Sequence, residues 1–330
     1  DLTKSCSEVQ QPHRGQHFVG GLSDGDDGAA AMDFSVAPLH LHRSWFFAGR
    51  TILMMSSGTS DESQFNITLG LDQKWLNGNV TASVKGATVV DNAMQEHDLG
   101  TVDWVHHSGV AFVPLSATPS ASVIFGSDFR TSSWYNITQG SEDPVSGTVF
   151  SAAIDHGRML QHQTVSHQVA VLPGIAAENV ETVANSVRDD KWLQRLNTFD
   201  AQAACWVGGE EDNNSLWTLH ASLWYANATV AFPGCGGVSI VKAPSEPYGL
   251  MLMLKYSRKP ETADAYTLQV TAADPHAVGG EAQFRVTGLS MTGSNCETSG
   301  NATVVTVNLP QDPAGIAPGH GLAGSSVTVV

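Results

Sequence analysis

Tyr266-Thr267-Leu268-Gln269-Val270-Thr271 alternates strictly between ring or branched apolar side chains and polar ones. In an extended chain Tyr266, Leu268 and Val270 point to one face and Thr267, Gln269 and Thr271 to the other. This is the pattern of a strand with one face on a core. Thr303–Leu309 and Ser325–Val330 are similarly β-branched and end at Gly, Pro or Asn. Breakers recur along the whole chain, at Asn77-Gly78, Pro144, Pro173-Gly174, Pro233-Gly234, Pro244, Pro247, Pro310 and Pro313. Many short strands with frequent turns predict an all-β protein of antiparallel sandwiches.

One segment departs from the two-residue period. Val180, Val183 and Val187 fall at helical spacing with Glu178 and Glu181 near the start, which predicts a short helix over 177–187. The polar run Arg188-Asp189-Asp190-Lys191 follows it. A domain boundary is placed there, dividing the chain into 1–181 and 182–330.

The chain has 330 residues with 16 Lys and Arg against 32 Asp and Glu, a formal net charge of -16. Such a field repels nucleic acid and anionic lipid, so neither is an expected partner. No apolar run reaches the length of a membrane span, and the nearest, Gly249–Leu254, is strand-sized. The chain opens at Asp1 without an initiator Met, which suggests a processed or excised product. Six N-glycosylation sequons begin at Asn66, Asn79, Asn136, Asn213, Asn227 and Asn301 and favour a secreted, extracellular protein. Four cysteines, Cys6, Cys205, Cys235 and Cys296, agree with an oxidising compartment and lack the CxxC spacing of a zinc site. Cys205 and Cys235 are a candidate disulfide, but three pairings are open to four cysteines.

Candidate reactive groups are few. Gly21-Leu22-Ser23-Asp24-Gly25 matches GxSxG, but Asp24, Asp26 and Asp27 followed by a β-like run do not supply the strand–turn–helix that exposes a nucleophile. An acidic hairpin loop is expected, with calcium the less favoured alternative. His40 and His42 share one strand face, a geometry suited to zinc or copper, yet no third ligand stands nearby in sequence, so no metal is assigned. His106 and His107 point to opposite faces. Asp155-His156 has the form of an oriented base, but with no partner acid or nucleophile it reads as a turn that fixes register. Exposed tryptophans stack on sugar rings. Most of the eight here lie inside apolar runs, so six or more are expected in the core.

A series of short motifs in the first half carries a family resemblance: FVGG at 18–21, GAAAMD at 28–33, RSWFF at 43–47, WVHHSGV at 104–110, SSWYNI at 132–137, IDHG at 154–157 and VLPG at 171–174. In this order the chain resembles the later part of family-8 polysaccharide lyases, the hyaluronate, chondroitin AC and xanthan lyases. The resemblance implies a galactose-mutarotase-like antiparallel super-sandwich over 17–174, followed by a smaller C-terminal β-sandwich. Ala273-Asp274-Pro275 resembles a recurrent turn of that second part. His42 stands where a basic residue is common, and Ser56-Ser57-Gly58 replaces an LGxGI-like segment. The family cleaves uronic-acid polysaccharides by β-elimination. Its Asn, His, Tyr and Arg come from an N-terminal α/α-toroid, and a Glu from the start of the central domain, stretches this sequence does not contain. The resemblance therefore places no catalytic residue, cofactor or metal here. It implies a glycan partner and an upstream catalytic segment. A lectin-like protein on the same scaffold is the alternative, and a matured fragment still bound to its catalytic half is another.

Overall fold

A computed structural model describes residues 18–36, 39–160, 162–208, 215–258, 266–291, 293–311 and 325–330. Cys6 and Asn213 lie outside them. Among the described residues the strands form four antiparallel sheets. The first runs, in spatial order, Val19–Ser23, Gly28–Val36, Leu39–Ala48, Thr51–Ser60, Gln163–Pro173, Val110–Ala117, Val102–His107, Thr81–Val84 and Ala87–Val90. The second is Thr68–Trp75, Pro144–Asp155, Ser122–Ser133 and Gln95–Asp98. The third is Leu193–Asn197, Ala201–Val207, Ser215–Leu223, Met251–Arg258, Tyr266–Ala273 and Val327–Val329. The fourth is Thr229–Phe232, Gly236–Lys242, Gly280–Thr287, Ala302–Leu309 and Cys296–Thr298.

These sheets stack in four layers with three large apolar cores between them. Phe112, Val105 and Val169 of the first sheet pack on Val123, Phe125, Phe150 and Ile154 of the second. Their chain neighbours Ala111, Val113, Trp104, Ala170 and Leu172 point the opposite way, onto Ala204, Trp206, Met251 and Met253 of the third sheet. Ala203, Cys205, Leu252 and Leu254 then turn to the fourth sheet and meet Val238, Phe284, Val286, Val305 and Val307. Burial on both faces explains why Met251-Leu252-Met253-Leu254 is continuously apolar, whereas outer strands such as Gly280–Thr287 alternate. Each fully buried Leu, Met or Phe in these layers contributes about 1.5–3 kcal/mol.

The predicted helix forms as a 3-10 turn at Ala177–Asn179 running into an α-helix at Val180–Arg188. Val180, Ala184 and Val187 enter the middle core, and Val183 packs at its edge. The polar run after it is no free linker. Arg188 donates through Nη2 to the carbonyls of Asp103 and Pro114, and Arg195 donates to Val187 O at 3.1 Å. Those guanidiniums satisfy carbonyls that the strand pairing and the helix end leave open. Cys205 and Cys235 are joined by a disulfide across the third core, with Cα atoms 6.6 Å apart. No helix among the described residues is long and apolar enough to cross a membrane.

Candidate functional site

The hairpin Gly28–Val36/Leu39–Ala48 carries the densest group of ligand-type side chains. Val36 pairs with Leu39, and the register then sets Asp33 opposite His42. Cross-strand partners share a face, so Asp33, His40 and His42 project together from the first sheet toward the third. One ligand atom from each lies within 4.8 Å of the others, and Asp33 Oδ1 stands 3.2 Å from His40 Nε2. His42 is buried and its ring is sandwiched between Phe199 at 4.1 Å and Trp224 at 4.2 Å. Its Nδ1 lies 2.6 Å from Phe199 O. A carbonyl can only accept, so Nδ1 carries the proton and Nε2 keeps the lone pair. Burial, partly offset by the Phe199 bond and by Asp33, lowers the His42 pKa and keeps the ring neutral. His40 and Asp33 stay partly open to solvent. The third ligand-type side chain beside His40 and His42, not evident from their neighbours in sequence, is thus Asp33. Its signal was available, since a hairpin closing between Val36 and Leu39 brings 33 to 42.

The opposite face of the same strands presents a different set. Arg43 pairs with Ser56, and Ser56 with His167, so the three form a row across neighbouring strands. His156 Nε2 lies 3.2 Å from His167 Nδ1. Both imidazoles are buried. Burial first, then the neighbouring His156 and Arg43 charges, hold His167 well below the ordinary histidine value; burial also lowers His156. Two rows away Trp45 lies under the Arg43 guanidinium at 5.0 Å, and Phe47 is exposed.

Asp155 does not orient His156. Its Oδ1 accepts from Gly157 N and its Oδ2 from Asn66 Nδ2, both at 2.8 Å, as a turn-stabilising carboxylate does. His106 and His107 take opposite faces: one nitrogen of His106 meets Ile175 O, and His107 Nε2 accepts from Asn77 N. Ser23 lies in a hairpin loop, its Oγ donating to Asp27 O while Asp24 Oδ1 accepts from the Asp26 and Asp27 amides. Lys255 offsets part of the acidic loop's charge, its Nζ lying 2.6 Å from Asp24 Oδ2 and 2.9 Å from Asp27 Oδ2. A serine bonded into its own turn, with no base in contact, is no nucleophile. Trp104, Trp206, Trp217 and Trp224 are buried, Trp45 and Trp192 half-buried, and Trp75 and Trp134 exposed. That is fewer in the core than expected, because the long hairpin Ser122–Ser133/Pro144–Asp155 extends past the sheet beneath it and leaves its tip uncovered. Asn66, Asn79, Asn136, Asn227 and Asn301 are all exposed.

The family model described as polysaccharide lyase family 8, super-sandwich domain, matches residues 1–184, more than half of the sequence. The chain belongs to this lyase family. The chondroitinase-AC of Pedobacter heparinus is 32% identical over 162 residues, covering 48% of this chain and 22% of that protein. The same architecture recurs in a chondroitinase AC lyase structure, with TM-score 0.69 and 21% identity over 95% of this chain and 40% of the other. A Paenibacillus xanthan lyase aligns with TM-score 0.66 and 16% identity over 94% of this chain and 28% of its own. The Streptomyces coelicolor chondroitin AC lyase in complex with chondroitin sulphate gives 0.62 and 16%, over 94% and 35%. This chain therefore spans less than half the length of these relatives. In this family-8 chain several of the motif residues are packing residues: Phe46, Trp104 and Leu172 are buried in the middle core, whereas Trp134 and Tyr135 are exposed. Gly21 is a close-approach glycine, where a Cβ would meet Ala29 O at 2.9 Å.

Proposed function

We propose that these 330 residues are the β-sheet scaffold of a secreted family-8 polysaccharide lyase, non-catalytic by themselves and built to support a catalytic segment upstream in the protein. The observation that carries this reading is chemical. Every candidate acid, base or nucleophile described above is committed to a turn, a core or an ion pair. Elimination next to a uronate needs a base, an acid and a group that neutralises the carboxylate, aimed at one open position. Residues 1–181 form the later super-sandwich in this reading, and 182–330 the smaller sandwich. Secretion is supported by a core disulfide and by the exposed sequon asparagines. The test is incubation of the isolated chain with chondroitin, hyaluronan and xanthan while following the ultraviolet absorbance of unsaturated uronide. A flat trace is expected; a steady rise with no second chain present overturns the proposal.

A second reading has its own observation. Arg43, Trp45 and Phe47 share one strand face, half-buried at Arg43 and Trp45 and exposed at Phe47, and an aromatic surface beside a guanidinium suits the apolar face and the carboxylate of a uronic acid. Binding of acidic glycans on an array, lost in Trp45→Ala, supports this reading. A flat response across neutral and acidic glycans removes it.

A further inference from the structure

We infer that Asp33, His40 and His42 form a binding site for a zinc-class divalent cation. Nothing in the scaffold role requires one, and four features of the hairpin point to it.

The first is ligand chemistry. Two imidazole nitrogens and one carboxylate oxygen suit a borderline ion such as Zn2+, which accepts three protein ligands and a water. Calcium prefers six or more oxygens, which this group does not offer. The second is spacing. Ligands on a tetrahedral zinc with bonds of about 2.0–2.1 Å stand about 3.3 Å apart. Asp33 Oδ1 and His40 Nε2 are already 3.2 Å apart, and Asp33, His40 and His42 each bring one ligand atom into a group whose members lie within 4.8 Å of one another.

The third feature is orientation of His42. A metal-binding histidine characteristically donates its other ring N–H to a carbonyl or carboxylate, which fixes the tautomer and aims the free lone pair. The Nδ1 to Phe199 O bond supplies this, and the flanking Phe199 and Trp224 rings hold the ring plane. The fourth is access. His40 keeps 43% and Asp33 26% of its side-chain surface exposed, so solvent meets the rim of the group, while Asp33 Oδ1 itself is buried and accepts no hydrogen bond. Asp200 and Tyr225 also face it, and the Asp200 carboxylate adds attraction for a cation.

Because His42 is held by residues of the second half of the chain, an ion bound to the hairpin would brace the first sheet against the Phe199–Trp224 side of the third. The experiment uses the full chain, treated with chelator and titrated calorimetrically with Zn2+, then with Co2+ while recording visible absorption. One equivalent of Zn2+ should bind at micromolar concentration, with Tm rising by a few degrees. Co2+ should give the intense visible bands of a four-coordinate site. His40→Ala and Asp33→Asn should each weaken Zn2+ binding at least tenfold while leaving the metal-free Tm nearly unchanged, and His162→Ala should bind as the parent does. Absence of binding overturns the inference, as does binding that survives in the His40→Ala/Asp33→Asn double variant. If either single variant fails to fold, His40→Gln takes its place, since it keeps the volume and removes the ring nitrogens.

Discussion

Lys255 Nζ sits 2.6 Å from Asp24 Oδ2 and closes the turn between the first two strands against the third sheet, 231 residues away in sequence. The Asp24 side chain is only 3% exposed. Burial alone would raise its pKa, but the Lys255 hydrogen bond and the Asp27 and Asp26 amides outweigh burial and lower it. Lys255 is raised in turn: its bonds to Asp24 and Asp27 overcome the cost of its own burial.

Lys255→Ala should therefore destabilise the protein by about 2–4 kcal/mol, because it strands a buried carboxylate. Adding Asp24→Asn should recover part of the loss. Urea midpoints of the two single variants and the double variant measure this coupling; strictly additive losses would refute it.

Acid should unfold the chain through its histidines. His42, His107, His156, His167 and His220 are all lowered, chiefly by burial, and His220 falls from 6.5 to about 4. Above the unfolded-state value near 6.5 these groups are neutral in both states and pH has no effect through them. As pH drops below it the unfolded chain gains protons that the folded one refuses, so stability falls, for His220 until about pH 4. His220 alone accounts for a loss on the order of 3 kcal/mol. It packs edge-on to Phe46 and Trp206. His220→Phe should flatten the acid limb of a Tm-against-pH curve, and an unchanged slope would show that other groups control it.

Reduction of Cys205–Cys235 should cost about 3–4 kcal/mol on the loop-entropy estimate for its 30-residue separation. Cys205→Ala/Cys235→Ala gives the same comparison without reductant. Both cysteines face the core between the third and fourth sheets, so the loss should appear as earlier urea unfolding.

Gly58→Ala should destabilise by at least about 2 kcal/mol. A Cβ there would lie 2.0 Å from His40 O and 2.8 Å from Leu41 Cα, both backbone atoms of an interior strand pair. Since the clash falls on His40 itself, the same variant should also weaken Zn2+ binding. Wild-type stability in this variant would contradict the close packing of these strands.

The strands and the helix were legible because period-two and period-3.6 patterning report burial directly. Tyr266–Ala273 alternates, and Val180 to Val187 follows one helix face. Asp33 beside His42 was legible in principle from hairpin counting, but only to a reader who fixed the turn. Layer order was not. Nothing local in Ser44 announces its 2.6 Å bond to Gln202 Oε1, or in Lys255 its carboxylate partners, since these depend on which sheet face meets which. The Trp count misled for a related reason: Trp75 sits in a strand whose outer side has no covering layer, and the residue pattern around it resembles that of a covered one.

The middle layers have a consequence for how this sequence can drift. Ala201–Val207 and Met251–Leu254 serve one core with their odd positions and another with their even ones. No site in those strands is neutral to mutation, whereas every second position of Gly280–Thr287 or Ala302–Leu309 faces less crowded surroundings. Divergence should therefore accumulate in the outermost sheets and leave the two inner ones as the slow-changing record of descent.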